Sequence, residues 1–266
     1  MEIGNQIKSL RQRRGITQEE MADRLGISPT AYRDFEKGGT TIINNNVMKF
    51  ADLLDTLARV EGDFTIRFMT SHPKDASEKL IEVMKNHPET IARHFHLPAQ
   101  SGNDRILKAM NRKYTREKYL ETVKKIRAAM PDVAITTDII CGFPTETAEE
   151  FEDTVSLIKE VGYDMIYTFI YSPRPGTVAA KMEGHIPHDE QVRRFKALSA
   201  AQDEISAEKS KSYMGKTVKV LSDGNQEARN SQNKIVTLDK DVPAGTFVKV
   251  EITETKAYGL KGKVIN

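Results

Sequence analysis

The chain has 266 residues, of which 38% are hydrophobic and 29% charged, and its net charge is +2. That length suits two or three domains, the composition is globular rather than disordered, and so weak a charge does not by itself point to nucleic acid. The single cysteine, Cys141, excludes an intrachain disulfide and any multi-cysteine metal site made by one chain.

Residues 1–57 read as short helices joined by tight turns. Ile3, Ile7 and Leu10 recur at helical spacing. Thr17 is an N-cap, with Glu20 three residues later to complete a capping box, and Gly26 stops that helix. Ser28 caps the next helix, Pro29 occupies its first position, and Gly38 and Gly39 close it. The opening MEIGNQIKSLRQRRG lacks the apolar stretch of a signal peptide, and no apolar run approaches the roughly 18 residues of a membrane span. A cytoplasmic protein with no membrane partner is the expectation.

The pattern then changes. FTIRFM (64–69), RHFHL (93–97), VAITTDII (133–140) and MIYTFIY (165–171) read as strands. Between and after them, residues 77–86, 116–130, 147–161 and 189–214 read as amphipathic helices. Strand–helix alternation predicts parallel βα units, whose strand-end loops gather at one rim where binding chemistry sits. Those loops are TSHPKD, PAQSGND, GFPTET and SPRPGT. Residues 216–221, 233–238, 245–253 and 259–265 are short strands again, suited to a small barrel or sandwich. The expected architecture is multidomain α/β. An all-α head (1–57) precedes a partial β/α barrel forming an open parallel sheet (58–213), and a small C-terminal β-barrel (214–266) follows.

LRQRRGITQEEMADRLGISPTAYRDFEKG resembles the helix-turn-helix of Cro/repressor proteins. The resemblance implies that the 28–36 helix enters the major groove of duplex DNA, with Thr30, Ala31 and Arg33 as base readers and Gln18 as a phosphate contact. Such heads double their contacts by dimerising, so a homodimer through the head or the open sheet edge belongs to this reading. The head carries about as many acids as bases, which weighs against a strong basic face.

RFMTSHPKDASEKLIEVM, HFHLPAQSGNDRILKAMNRKYTREKYLETVKKIRAAMPD, ITTDIICGFPTETAEEFEDTVSLIKEVGYD and FIYSPRPGT resemble the radical S-adenosylmethionine methylthiotransferases that thiomethylate tRNA adenosine. Residues 216–266 resemble the RNA-gripping TRAM domain that follows in that family. The resemblance implies an S-adenosylmethionine site at the loops: Ser71 and His72, Gln100 and Ser101, Asp138 and Glu146, and Arg174. Gln, Ser and Asp suit ribose hydroxyls and the amino-acid end of the ligand, and Arg174 suits a carboxylate or phosphate. It also implies tRNA as partner, held through Lys216, Lys219, Lys234, Lys249 and Lys261, with Lys256 and Lys263 beside them.

Simpler roles stand beside these. His72 suits a turn hydrogen bond. His94 and His96 fall on one strand face and suit packing better than a metal, for want of a third ligand. Asp138, on a buried strand, needs a partner or a ligand. Thr145 stands where the family usually has Gly, and costs stability if the position needs φ > 0.

The family carries its iron–sulfur cluster on three cysteines in a CxxxCxxC loop, and this chain has no such loop. Cys141 reads as a small core residue, so the chain alone is expected to be an inactive or partial RNA-modifying enzyme. Two alternatives stay open: a sequence-specific DNA-binding regulator with a reused enzyme scaffold, and a chimera without selected function. Residues 50–57 serve either the head or the body equally well, so the junction does not choose between them.

Overall fold

A computed structural model describes residues 8–9, 11–24, 28–36, 50–69, 73 and 76–265. The chain forms two compact units, Met1–Gly62 and Asp63–Asn266.

The first unit is helical. Residues 8–9 and 11–13 are helical; α1 is Gln18–Arg24, α2 Pro29–Glu36 and α3 Phe50–Ala58. Thr17 Oγ1 accepts the Glu20 N–H at 3.1 Å, as the cap signal predicts. Met21 and Ala22 of α1 meet Tyr32 of α2, and Ile16, Leu53 and Leu57 close over them. Leu53 and Leu57 therefore assign the ambiguous 50–57 stretch to this unit. Arg11 and Glu36 form a buried ion pair, Nε to Oε1 at 2.6 Å, that ties the first helical stretch to the end of α2. The Gly26, Gly38 and Gly39 stops, and Ile3, Ile7 and Leu10, lie outside the described residues.

The second unit opens with α4 (Glu78–Asn86), β1 (His94–His96), α5 (Asp104–Ala109), α6 (Arg116–Ala129), β2 (Ala134–Cys141), α7 (Ala148–Val161), β3 (Met165–Ile170) and α8 (His188–Lys211). The strands make a three-stranded parallel sheet in sequence order, β2 central. Side-chain caps start the helices where the sequence supplies them: Ser77, Asn103, Thr115, and Thr147 with Glu150 as a reciprocal box. Phe95, Ile135 and Ile139 are buried, as are Tyr119, Val123 and Ile126 of α6 and Phe151, Leu157 and Ile158 of α7. The other sheet face is more open toward β3, where Tyr167 and Phe169 are exposed.

The expected strand at 64–69 is not formed. Ile66 makes one parallel bridge to Ile91 and the ladder stops there. Arg67 instead turns its guanidinium to the carbonyls of Asn230 (2.7 Å) and Ser231 (3.4 Å), toward the C-terminal barrel.

That barrel is closed, in the order β4-β5-β6-β8-β7: β4 Thr217–Gly224, β5 Glu227–Asn230, β6 Ile235–Leu238, β7 Phe247–Lys256, β8 Gly259–Ile265. Val220, Ala228, Val236, Leu238, Val250, Ile252 and Leu260 fill it. Gly262 is required there, since a Cβ would lie 2.3 Å from Val250 Cγ1 and 2.6 Å from the Glu251 carbonyl. β5 comes from a segment outside the expected strands. Asn225 (φ 50°) and Gln226 (φ 60°) form a two-residue hairpin turn, and Gly224 pairs with Glu227 across it.

The barrel is fastened to the α/β part of its own unit. Ser231 Oγ accepts the Arg93 N–H at 3.0 Å, Lys209 pairs with Asp164 at 2.7 Å, and Ser210 Oγ donates to the Ala257 carbonyl at 3.1 Å.

Candidate functional site

The site is built at the carboxyl ends of β1, β2 and β3. After β1, Gln100 adopts φ 68°, a left-handed conformation uncommon for a non-glycine residue. It is held there by β2: Gln100 N–H donates to the Asp138 carbonyl (2.8 Å), and Ile140 N–H donates to the Gln100 carbonyl (2.9 Å). Its side chain is 7% exposed, yet its amide has no hydrogen-bond partner among the described residues. Backbone strain with an unpaired amide that still reaches the surface marks Gln100 as a candidate ligand-facing position.

Ser101 points the other way. Its hydroxyl lies 3.4 Å from Thr154 Oγ1 on α7 and accepts the Asn103 N–H at 3.2 Å, so it locks the loop to the helix layer. Asp138 projects from β2 on the open sheet face, 30% exposed, with Oδ2 3.5 Å from His96 Nε2. Tyr167 stands beside them, its ring centroid 5.9 Å from that of His96.

The GFPTET turn is clamped from inside. Gly142 has φ 72°, and a Cβ there would lie 2.5 Å from Gln191 Cγ, so only glycine fits. Glu146 Oε2 accepts the Gly142 N–H (2.9 Å) and an N–H of Arg194 (2.7 Å). Arg194 also donates to the Glu146 carbonyl at 3.1 Å and to Glu190 at 2.8 Å. Hydrogen bonds from Arg193 and Arg194 hold the Glu190 carboxyl down at about 2. Glu146 thus shapes the turn through its buried side chain. Thr145 has φ 67°, and its hydroxyl accepts from Arg105 at 3.1 Å.

Arg174 lies in the exposed loop after β3; its carbonyl accepts the Thr177 hydroxyl at 2.8 Å, and its guanidinium has no partner among the described residues. Ser71 and His72 lie outside the described residues. Gln100, Asp138 and Arg174 offer an unpaired amide, a carboxylate and an unpaired guanidinium. That donor set suits a ligand with ribose hydroxyls, an ammonium and a carboxylate, as S-adenosylmethionine has.

An iron–sulfur cluster does not fit the residues present. Cluster ligands are thiolates. The one cysteine, Cys141, is buried, its Sγ is 4.0 Å from the Gln191 carbonyl, and burial pushes its thiol up to about 12.

His94 and His96 are buried on β1, as packing requires, and both reach Thr136 Oγ1, at 3.0 and 2.9 Å. Burial, with Arg67 and His96 nearby, pushes His94 down to about 4. The approach of His96 to Asp138 is missed by sequence reasoning. Its signal was the alternation of His94-x-His96 with Thr136-x-Asp138 on neighbouring strands. Arg194, 48 residues from Glu146, left no signal.

In the helical unit, Gln18 donates to Glu36 at 2.6 Å and accepts from Arg33 at 3.4 Å. Thr30 and Arg33 are exposed. Ala31 falls within α2, and its side chain is outside the described residues.

On the barrel, Lys219 and Lys249 are exposed register partners on β4 and β7, and Lys219 Nζ sits 4.8 Å from the Phe247 ring centroid. Lys216 is exposed; Lys261 pairs with Glu254 at 3.2 Å, Lys256 with Glu254 at 3.7 Å, and Lys263 lies opposite Glu251. Lys234 is not on this surface. It donates to Ser210 Oγ at 3.2 Å, lies 5.9 Å from the Tyr213 ring centroid, and burial pushes its ammonium pKa down.

A profile of the Radical SAM superfamily matches residues 2–158 of the 266. The chain belongs to that superfamily. The match runs through the helical unit as well as the first βα elements. Over 224 residues the chain is 47% identical to the tRNA-2-methylthio-N(6)-dimethylallyladenosine synthase of Alkaliphilus oremlandii (strain OhILAs), covering 81% of this chain and 47% of that protein. The like-named protein of Geobacillus thermodenitrificans (strain NG80-2) is 47% identical over 251 residues, covering 91% and 46%. That of Thermodesulfovibrio yellowstonii (strain ATCC 51303 / DSM 11347 / YP87) is 42% identical over 238, covering 85% and 55%. The chain therefore spans about half the length of the curated relatives it matches. Among the described residues, no helix is long and apolar enough to cross a membrane.

Proposed function

We propose that this radical SAM chain is the S-adenosylmethionine- and tRNA-facing part of a methylthiotransferase that thiomethylates tRNA adenosine, and that it does not perform the reaction alone. The observation that carries the reading is the 47% identity to a tRNA-2-methylthio-N(6)-dimethylallyladenosine synthase over 81% of the chain. Gln100 and Asp138 would take hydroxyl and ammonium groups of S-adenosylmethionine, and Arg174 its carboxylate, with Ser71 and His72 in the first loop. Ser101 and Glu146 would act by holding their loops. S-adenosylmethionine supplies the methyl group when bound. The C-terminal barrel, TRAM-like in this reading, would meet tRNA through Lys216, Lys219, Lys249 and Lys261.

The thiol count supports inactivity alone, since one buried cysteine does not make a three-thiolate site. Anaerobic reconstitution with iron and sulfide tests it. The expected result is no stoichiometric [4Fe–4S] signal and no 2-methylthio product on tRNA; either one, formed by this chain alone, would refute the proposal.

The exposure of Thr30 and Arg33 on a capped, self-contained helix pair supports a second reading, a helix-turn-helix head that reads duplex DNA, as a regulator or a chimera would retain. It requires a dimer and salt-sensitive DNA binding. The superfamily match across residues 2–158 favours the first reading.

A further inference from the structure

Gln191, in the first turn of α8, is a neutral polar side chain only 8% exposed. Its amide nitrogen donates to the Gly142 carbonyl at 3.0 Å and, over a longer 3.4 Å, to the Tyr171 carbonyl. A terminal amide nitrogen carries two protons, so one group serves both acceptors. Gly142 opens the turn after β2, and Tyr171 follows β3. The side chain therefore joins two strand-end loops that are far apart in the sequence.

The second of these loops carries Arg174. Residues 172–178 are all exposed, so burial does not order them. The loop is pinned at its ends instead. At its start, the Tyr171 N–H donates to the Cys141 carbonyl at 2.9 Å, and the Tyr171 and Phe143 rings meet edge-on with centroids 5.2 Å apart. At its end, the Gly184 carbonyl accepts the Thr145 N–H at 2.8 Å, and the Pro187 carbonyl accepts the Gln191 N–H at 3.0 Å. Gln191 thus holds both ends, one through its side chain and one through its backbone. Between them, Arg174 sits in a turn closed by Thr177, whose N–H and hydroxyl donate to the Arg174 carbonyl at 3.2 and 2.8 Å. Bringing the two ends of a loop together restricts everything between them. Arg194, one turn further along α8, grips the turn after β2 independently through Glu146. Loss of the Gln191 amide would therefore leave that turn in place and free the Arg174 loop.

We infer that Gln191 is a positioning residue that closes the base of the Arg174 loop against the turn after β2, and so sets where that guanidinium meets the carboxylate of a bound ligand. The ligand half rests on the proposed S-adenosylmethionine site; the bracing half does not. Gln191 acts through Arg174, because its amide nitrogen faces the loop carbonyls.

Hydrogen exchange on the full chain, labelled with ¹⁵N, decides the bracing. Gln191→Met keeps the length of the side chain and removes both donors. The Thr145 and Thr177 amides should then exchange about 10-fold faster, the scale of one to two hydrogen bonds. The Leu97 amide, bonded to the Thr136 carbonyl at 2.8 Å within the sheet, should not change. Unchanged loop amides, or an equal acceleration at Leu97, would overturn the inference. The unmodified chain supplies a measurement that no misfolded variant can spoil: the Gln191 side-chain amide protons should exchange slowly, and free exchange with solvent would also overturn it. Calorimetry tests the ligand half. S-adenosylmethionine carries a carboxylate, and 5′-methylthioadenosine lacks the amino-acid end that bears it. Gln191→Met should weaken binding of the first about 10-fold, the scale of one charge-assisted hydrogen bond, and leave the second unchanged. Arg174→Gln should weaken S-adenosylmethionine binding at least as much, and the double variant no more than Arg174→Gln alone. Additive losses, or equal losses for both ligands, would reduce Gln191 to packing. No binding by the unmodified chain, or no loss in Arg174→Gln, would refute the site reading itself and the ligand half with it, while the exchange rates still decide the bracing.

Discussion

Arg194 donates to the Glu146 carboxylate at 2.7 Å, and the Gly142 N–H reaches the same oxygen at 2.9 Å. Through this pair the long α8 helix holds the turn that follows β2. Both side chains are buried, so removing one partner strands the other's charge. Arg194→Met should destabilise the second unit by about 3–5 kcal/mol, and Glu146→Gln by less, because an amide still accepts from Gly142. Urea unfolding of each variant measures both; an Arg194→Met loss smaller than that of Glu146→Gln would contradict the clamp.

Thr145 is a β-branched residue at φ 67°. Glycine there relieves strain of about 1–2 kcal/mol and forfeits an exposed hydrogen bond from Arg105 of small worth. Thr145→Gly should therefore raise stability by about 1 kcal/mol even though glycine loosens the unfolded chain. The melting temperature reports it, and a decrease would show that the Arg105 hydrogen bond outweighs the strain.

His94 gives the second unit a pH dependence whose sign is fixed by its lowered pKa. Between the ordinary 6.5 and about 4 the unfolded chain binds a proton that the folded chain refuses. Stability from this residue is therefore full above 6.5 and falls as pH drops toward 4, by roughly 3 kcal/mol over the interval. His94→Gln should flatten that part of the stability–pH curve measured by urea titration, and an unchanged slope would place the pH dependence elsewhere.

The lysines separate by position. Lys219→Ala and Lys249→Ala should each weaken tRNA binding and lower the salt slope by about 0.7–0.9 for each phosphate no longer neutralised. Lys234→Met should leave tRNA affinity unchanged. Filter binding at several salt concentrations distinguishes them, and a Lys234 effect equal to that of Lys249 would refute the assignment.

Local structure was legible where local chemistry decides it. Thr17 announced its helix because a cap is written within four residues. Strand–helix alternation likewise announced the parallel sheet. β5 was hidden because Asn225-Gln226 turns the chain without a glycine, and because only Ala228 and Asn230 of that strand face inward and are buried. The 64–69 strand was over-read because its apolar alternation says nothing of Arg67, which is drawn to carbonyls 163 and 164 residues away. The placement of the candidate residues was readable: Gln100 and Arg174 fall in the loops after β1 and β3, and Asp138 falls within β2. Their orientation was not. Ser101 and Glu146 turn inward to partners on α7 and α8, and Lys234 is captured by Tyr213 and Ser210. Such pairings are set by tertiary packing.

The proposed function requires that this chain recognise tRNA. A competition gel-shift of the full chain against tRNA and duplex DNA, at two salt concentrations, tests it most directly. The account predicts that tRNA displaces duplex DNA at both salts while duplex DNA does not displace tRNA. Preferential, salt-sensitive binding of duplex DNA by a dimer would contradict it, and so would equal weak binding of both.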